Sequence, residues 1–217
     1  MTRPILLGVM IMLVALSCSD RPAKEEATTD EITLVALTPS HNRAIAAFAE
    51  GCFWCSEHIF EAVVGVDSAI SGYAGGTVPF PTYELVNTET TGHAESVLVY
   101  FDPNVITYAE LTQVFFTSHD PTTLDRQGPD VGSSYRSILF YFTPKEKETA
   151  ETSLKAFSSS KMFSDSIVTE IKELKEFYRA EEYHQDYIAL NPDKPYVRNV
   201  SIPRFELFKK TYKGKLK

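Results

Sequence analysis

Cysteine is scarce in this 217-residue chain, which has three: Cys18, Cys52 and Cys55. Three thiols are too few for a disulfide scaffold and too few for a four-thiolate zinc site, so each needs its own explanation. Basic clusters are also missing. The 29 acidic residues outnumber the 21 Lys and Arg, and the net charge of −8 repels phosphate backbones and anionic lipid heads, which argues against nucleic acid as a partner. No internal repeat is present, and no apolar run is long enough for a comfortable membrane span. What remains is an ordinary globular composition, 43% hydrophobic and 23% charged, able to bury a core without staples.

The longest apolar run, Ile5 to Leu16 after Arg3, has the length and flank of a signal peptide. It ends Val14, Ala15, Leu16, Ser17, Cys18, a pattern that resembles the lipobox of bacterial lipoproteins. The resemblance implies removal of residues 1–17 and lipidation of Cys18. A conventional cleavage site with an incidental cysteine, or an uncleaved anchor, are the alternatives. The expected location is the bacterial cell envelope, on the inner or outer membrane and its periplasmic face, with the lipid as the only membrane contact. Residues 18–42 are polar, carry Pro22 and Pro39, and read as a flexible tether, with Ile32 to Leu37 as its one candidate for a short edge strand.

A single folded unit, 43–217, follows. Ala44 to Ala49 reads as a strand, Ile59, Phe60, Val63 and Val64 as a helix stripe, and Val66 to Tyr73 and Glu95 to Phe101 as alternating strands. Tyr108, Leu111, Val114 and Phe115 mark a second helix, and Ile138 to Phe142 another strand. The order β-α-β-β-α-β is that of an α+β, ferredoxin-like split β-α-β two-layer sandwich. C-terminal additions follow: a charged helix from Lys145 to about Ser158, a strand from Ile167 to Leu174, a helix around Glu181 to Leu190, and a basic, aromatic tail. Two long loops, through Pro79 and Pro81 and from His119 to Ser134, interrupt the pattern, and loops of that length usually carry function.

Cys52 falls at the strand-to-helix turn, where unpaired helix N–H groups and the dipole lower a thiol pKa and make a nucleophile. Cys55 lies one turn along the same face, within reach of a disulfide. Two buried structural thiols are the plain alternative. A metal site from Cys52, Cys55 and His58 with His93, His119 or His184 is disfavoured by the small ligand count. Phe53 and Trp54, between the cysteines, suggest an apolar pocket. Glu95 opens an otherwise apolar strand; facing inward, its carboxyl would have a raised pKa and serve as an acid near neutral pH. Tyr83, Asp130 and Tyr135 offer loop hydroxyls and a carboxylate able to steady a polar oxygen.

The runs GCFWC, GYAGG, PTYE, TGHAE, HDPTT, RQGPDVGSSYRS and FYRAEEYHQDY, in that order from Ala44 to Tyr187, together resemble the peptide methionine sulfoxide reductase A family. The resemblance implies a catalytic domain over 43–217, Cys52 as nucleophile and Glu95 as acid. It implies Tyr83 and Tyr135 as donors to the sulfoxide oxygen, Asp130 in the same polar network, and Phe53 with Trp54 as the methyl pocket. The implied reaction reduces the S epimer of methionine sulfoxide, protein-bound or free, through a Cys52 sulfenic acid. Cys55 then closes a disulfide, which thioredoxin or another dithiol resets; no bound cofactor or metal is implied, and a monomer is expected. Two departures stand out. No cysteine follows position 55, where many members keep resolving cysteines, and Phe80 stands where the family often has Asn, a change expected to alter the pocket rim. The rival readings are a thioredoxin-type disulfide oxidoreductase of the envelope and a non-catalytic lipoprotein that binds through exposed aromatics.

Overall fold

Runs of small and β-branched apolar residues become strands, and helices form where apolar residues recur every three to four positions. The computed structural model describes residues 31–40 and 42–217; the expected signal peptide, Cys18 and the first part of the expected tether lie outside them. In chain order the elements are β1 (Thr33–Leu34), β2 (Ala44–Glu50), α1 (Phe53–Glu61), β3 (Val66–Ala74), α2 (Tyr83–Val86), β4 (Ala94–Phe101), α3 (Tyr108–Ser118), β5 (Arg126–Gln127), β6 (Asp130–Val131), β7 (Ser137–Tyr141), α4 (Pro144–Ser159), β8 (Glu170–Glu173), β9 (Phe177–Arg179), α5 (Tyr187–Leu190) and α6 (Ile202–Thr211). Tight turns at Ser133–Tyr135 and Glu182–His184 and a π-helical turn at Val197–Ser201 join them.

Seven strands form one sheet in the order β1-β9-β3-β4-β2-β7-β8. Each strand of the central four, β3-β4-β2-β7, is antiparallel to its neighbours in that order. Helix α1 links β2 to β3 and α3 links β4 to β7, so the split β-α-β order read from the sequence is the observed topology. Side-chain alternation along β2 sorts Ala46 and Phe48 to one face and Ile45, Ala47 and Ala49 to the other. On the first face Phe48 stacks on Phe60 of α1 at 4.7 Å and packs against Phe115 of α3 at 5.8 Å. Burying each such ring is worth about 2–3 kcal/mol. Capping boxes at Thr107/Glu110 and Thr143/Glu146 start α3 and α4; losing such a cap costs about 1 kcal/mol.

The second face explains a departure from the expected tether. Ala47, Leu98 and Ile138 on that face are fully buried, and Val35 and Leu37 pack against their cluster. Thr33 and Leu34 pair with β9 just before them. The candidate edge strand within Ile32 to Leu37 is thus present at Thr33–Leu34, and the last part of the expected tether is folded structure, because an apolar sheet face needs a cover.

The C-terminal third departs further. The strand expected from Ile167 to Leu174 is confined to Glu170–Glu173, parallel to β7. No continuous helix runs from Glu181 to Leu190. Asp186 takes a left-handed φ of 52°, and its N–H is donated to Glu57 Oε2 at 3.1 Å, outside any helical ladder. The Gln185 amide donates to the carbonyls of Ser71 and Ala180, at 3.1 and 3.0 Å, pinning this segment to β3. Ahead of it, β9 lies so close to β3 that any side chain at Gly72 would run into the Tyr178 carbonyl and the Phe177 ring.

Candidate active site

Strand β2 ends at Glu50, Gly51 turns the chain at φ +89°, and Cys52 caps α1. A Cβ at position 51 would collide with the Gln127 side chain, so glycine is required there on two counts. Cys52 thus occupies the expected helix N-terminus, with Cys55 in the first turn. Both thiols are free and buried.

Their protonation differs from the expectation. Burial above all, and then the neighbouring Cys55, push the Cys52 thiol well above its ordinary value. Cys52 is only 6% exposed, so desolvation of its charged form is the largest cause. Cys55 goes the other way. The hydrogen bond from Cys52, the Arg204 guanidinium and the Ser201 hydroxyl lower it to about 6 against the cost of burial. The two thiols titrate as a pair, their surroundings pushing Cys52 up and Cys55 down.

Glu95, on β4, points inward and is 2% exposed. Burial raises its carboxyl to about 8, even though Oε2 accepts the Phe53 N–H at 3.0 Å. A neutral carboxylic acid therefore stands beside the Cys52 thiol at pH 7. Around them is a cavity of about 490 Å³ lined by Cys52, Phe53, Trp54, Tyr83, Glu95, Asp130 and Tyr135, together with Tyr187 and the segment 194–196. Of the eight site residues read from the sequence, seven, Cys52 among them, line this cavity, and Cys55 lines a second one. Tyr83 and Tyr135 are both raised by burial and remain hydroxyl donors. The loop bearing Tyr135 is fixed by Glu89, which accepts from the Ser134 N–H at 2.8 Å and from the Ser134 hydroxyl at 2.7 Å.

Phe80 does not line this cavity. It lies edge-on to Tyr178 at 5.4 Å with a left-handed φ of 49°. Asn tolerates that backbone region far better than Phe, so the departure at this position concerns the backbone rather than the pocket rim. The candidate metal set also disperses. His58 packs edge-on to Phe205, His93 Nε2 meets the Val78 carbonyl at 2.8 Å, and among the described residues no group of three or more His, Cys, Asp or Glu is placed to hold a metal ion.

Several site residues carried no sequence signal beyond membership of an aromatic run. Tyr187 stacks on Trp54 at 3.8 Å, nearly parallel, and the Trp54 Nε1–H donates to His184 Nδ1 at 3.0 Å. Glu181 accepts from the Tyr73 hydroxyl at 2.8 Å and from the Tyr83 N–H at 2.9 Å, which sets the start of α2. The Tyr196 hydroxyl donates to Asp130 Oδ2 at 2.5 Å. The pairing of Glu181 with Glu182 inside FYRAEEYHQDY was the available clue, since an acid in an aromatic run needs a buried donor.

A family model described as peptide methionine sulfoxide reductase matches residues 44–216. The chain is 48% identical over 166 residues to a peptide methionine sulfoxide reductase MsrA from Leptospira borgpetersenii, covering 76% of this chain and 93% of that one. Among solved structures it resembles reduced Mxr1 from Saccharomyces cerevisiae, with TM-score 0.68, 33% identity, and coverage of 75% of this chain and 92% of that one. Mxr1 in complex with Trx2 is similar as well, with TM-score 0.50, 27% identity, and coverage of 70% and 94%.

Proposed function

Because the chain belongs to the peptide methionine sulfoxide reductase A family, and so is an oxidoreductase that reduces peptide methionine sulfoxide and repairs protein, we propose that Cys52 carries the reaction with Glu95 as its acid. The observation that supports this most directly is the placement of the Cys52 thiol, a carboxyl raised to about 8 and two tyrosine hydroxyls around one cavity. The substrate methyl group enters against Phe53 and Trp54, which directs the sulfoxide oxygen toward Tyr83, Tyr135 and Glu95. Sulfur attack by Cys52 builds negative charge on that oxygen, and the Glu95 proton neutralises it. Methionine leaves and Cys52 is left as a sulfenic acid. The pocket is chiral, and the S epimer is the one assigned to it.

Cys55 then condenses with the sulfenic acid to a disulfide and releases water. A thioredoxin-like dithiol resets the pair by exchange, a role suggested by the complex of Mxr1 with Trx2. The enzyme works as a monomer. Residues 1–17 direct export, Cys18 carries the lipid, and the domain repairs oxidised proteins of the cell envelope. Palmitate labelling and membrane fractionation of wild type and Cys18→Ala test that placement: the wild type is expected to be labelled and membrane-bound, and an unlabelled wild type would remove the anchor.

The chemistry is tested by turnover of the two epimers with a dithiol and, without it, by mass spectrometry after one turnover. Wild type is expected to consume the S epimer and accumulate a Cys52–Cys55 disulfide. Cys55→Ser yields one equivalent of methionine and a dimedone-reactive Cys52. Activity in Cys52→Ser would overturn the assignment.

A further inference from the structure

The two tyrosine hydroxyls of the substrate cavity come from separate segments, Tyr83 from the start of α2 and Tyr135 from the tight turn Ser133–Tyr135, and neither segment belongs to the sheet. Two hydroxyls can serve one oxygen only if their segments are held in register, and connecting segments are the mobile part of a fold. One side chain joins them. Glu89 comes just after α2, its N–H donating to the Val86 carbonyl at 2.9 Å. Its carboxylate accepts three bonds from the other segment: Oε2 takes the Ser133 hydroxyl at 2.5 Å and the Ser134 N–H at 2.8 Å, and Oε1 takes the Ser134 hydroxyl at 2.7 Å.

The backbone is shaped around this contact. Glu89 has a φ of 61°, in the left-handed region that side chains avoid, and such strain persists where surrounding bonds over-determine it. Ser134 is fully buried, so loss of the carboxylate would strip its hydroxyl and N–H of their acceptor. Gly132 opens the turn at φ 148°, and a Cβ there would run into Glu89 Oε1. Against the cost of partial burial, the bonds from Ser133 and Ser134 hold the Glu89 carboxyl below its ordinary value, so it is charged. A second strap runs the opposite way. Arg136 donates from Nη1 to the Ser133 carbonyl at 2.7 Å and from Nη2 to the Gly92 carbonyl at 2.9 Å, and Gly92 lies just before β4, the strand that carries Glu95.

We propose that Glu89 is a positioning residue for sulfoxide reduction: by bonding Ser133 and Ser134 it fixes the turn that carries Tyr135 against the segment that carries Tyr83, so that both hydroxyls reach the same oxygen. The proposal rests on Tyr135 donating to the sulfoxide oxygen, as in the function proposed above. Glu89 is exposed and does not line the substrate cavity, so it acts through Tyr135 and touches no substrate. Negative charge on the oxygen grows as Cys52 attacks, and a displaced donor therefore costs more in the transition state than in the bound substrate. The loss falls on kcat and spares KM.

The test is single-turnover methionine formation from the S epimer without dithiol, with steady-state kcat and KM and urea midpoints in parallel. Glycine accepts a left-handed φ, so Glu89→Gly removes the carboxylate without straining the backbone. It is expected to lower kcat and the single-turnover rate about tenfold, the scale of one lost donor, with KM within about twofold. Glu89→Gln keeps an acceptor for the Ser134 N–H and restores most of the rate. Tyr135→Phe costs about tenfold in the wild-type background but less than about twofold in Glu89→Gly, because both changes remove the same donor. Ser133→Ala/Ser134→Ala cuts the clamp from the other side, reproduces the loss, and carries the test if Glu89→Gly does not fold. Burial raises Glu95 and the Glu89 charge adds to it, but the serine variant keeps that charge. Equal losses in Glu89→Gly and Glu89→Gln, absent from the serine variant, would therefore report charge alone and overturn the clamp. A wild-type rate in Glu89→Gly would also overturn it, as would the same cost of Tyr135→Phe in both backgrounds. Tyr135→Phe at the wild-type rate would remove the premise, the donor role of Tyr135, and activity in Cys52→Ser would strike the nucleophile itself.

Discussion

Cys52 and Cys55 are one helical turn apart and sit in opposite electrostatic settings. Cys52 opens on a cavity that contains Glu95, Asp130 and Lys194, whereas Cys55 borders a cavity that contains Arg204. Under similar burial the Cys52 thiol is therefore pushed up and the Cys55 thiol down. Helix position cannot account for the difference, since both lie within the field of the α1 N-terminus. Elements packed against α1 set the charge of each thiol, and the helix sets only how close they are.

The largest effect should come from removing the thiol on the acid side. Cys52→Ser is expected to lower methionine formation by at least about 10⁴-fold, because a serine hydroxyl at this depth does not ionise near neutral pH. Measured turnover of the S epimer within tenfold of wild type would erase the contrast between the two cysteines. Glu95→Gln comes next, with a loss of about 10²–10³-fold in kcat. Glu95 must hold its proton to act, and burial holds it at about 8, so wild-type activity falls as pH rises through that value. The alkaline limb should vanish in Glu95→Gln; a limb that persists there belongs to another group.

The two sides of the pair also differ in how visible they were in the sequence. The Cys52 side is built from β2, β4 and two loops whose alternation, prolines and glycines announce their boundaries, and its acid sits at a strand start where an apolar run makes a carboxylate conspicuous. The Cys55 side is built from Ser201 and Arg204 in a tail that reads only as basic and aromatic. A π-turn shifts the register of side chains there, so the 3.6-residue pattern that would place Tyr196, Ser201 and Arg204 together is absent. Strand β9 has three residues, too few for alternation to register, and the left-handed Asp186 breaks what looked like a helix. Arg204 and Glu50 lie 154 positions apart, and nothing local to either residue predicts their contact.

Tyr135→Phe sharpens the comparison at smaller scale. One donor to the sulfoxide oxygen is worth about tenfold in kcat, roughly the value of one net hydrogen bond. Asp130 lines both cavities and is tied to Tyr196, so Tyr196→Phe is expected to move the Cys55 thiolate titration while Tyr135→Phe leaves it in place. Equal titration curves in the two variants would mean that the two cavities are not separately controlled.

The smallest effect on catalysis should come from Glu57→Gln, and it isolates burial from chemistry. Glu57 is 3% exposed, and burial and the neighbouring Glu61 and Asp186 raise it to about 8, the same level as Glu95, yet it lines no part of the substrate cavity. A carboxyl raised above its ordinary value of 4.5 binds a proton in the folded chain that the unfolded chain has already released. Its contribution to stability is therefore complete below about 4.5 and is lost as pH rises toward about 8. Glu57→Gln keeps an acceptor for the Asp186 N–H and removes that titration. Urea midpoints between pH 5 and 8 should then fall less steeply than in wild type, by up to about 1.4 kcal/mol per pH unit, while kcat stays within about twofold. Should Glu57→Gln instead remove the alkaline limb of activity, the limb would report folding rather than the protonation of Glu95.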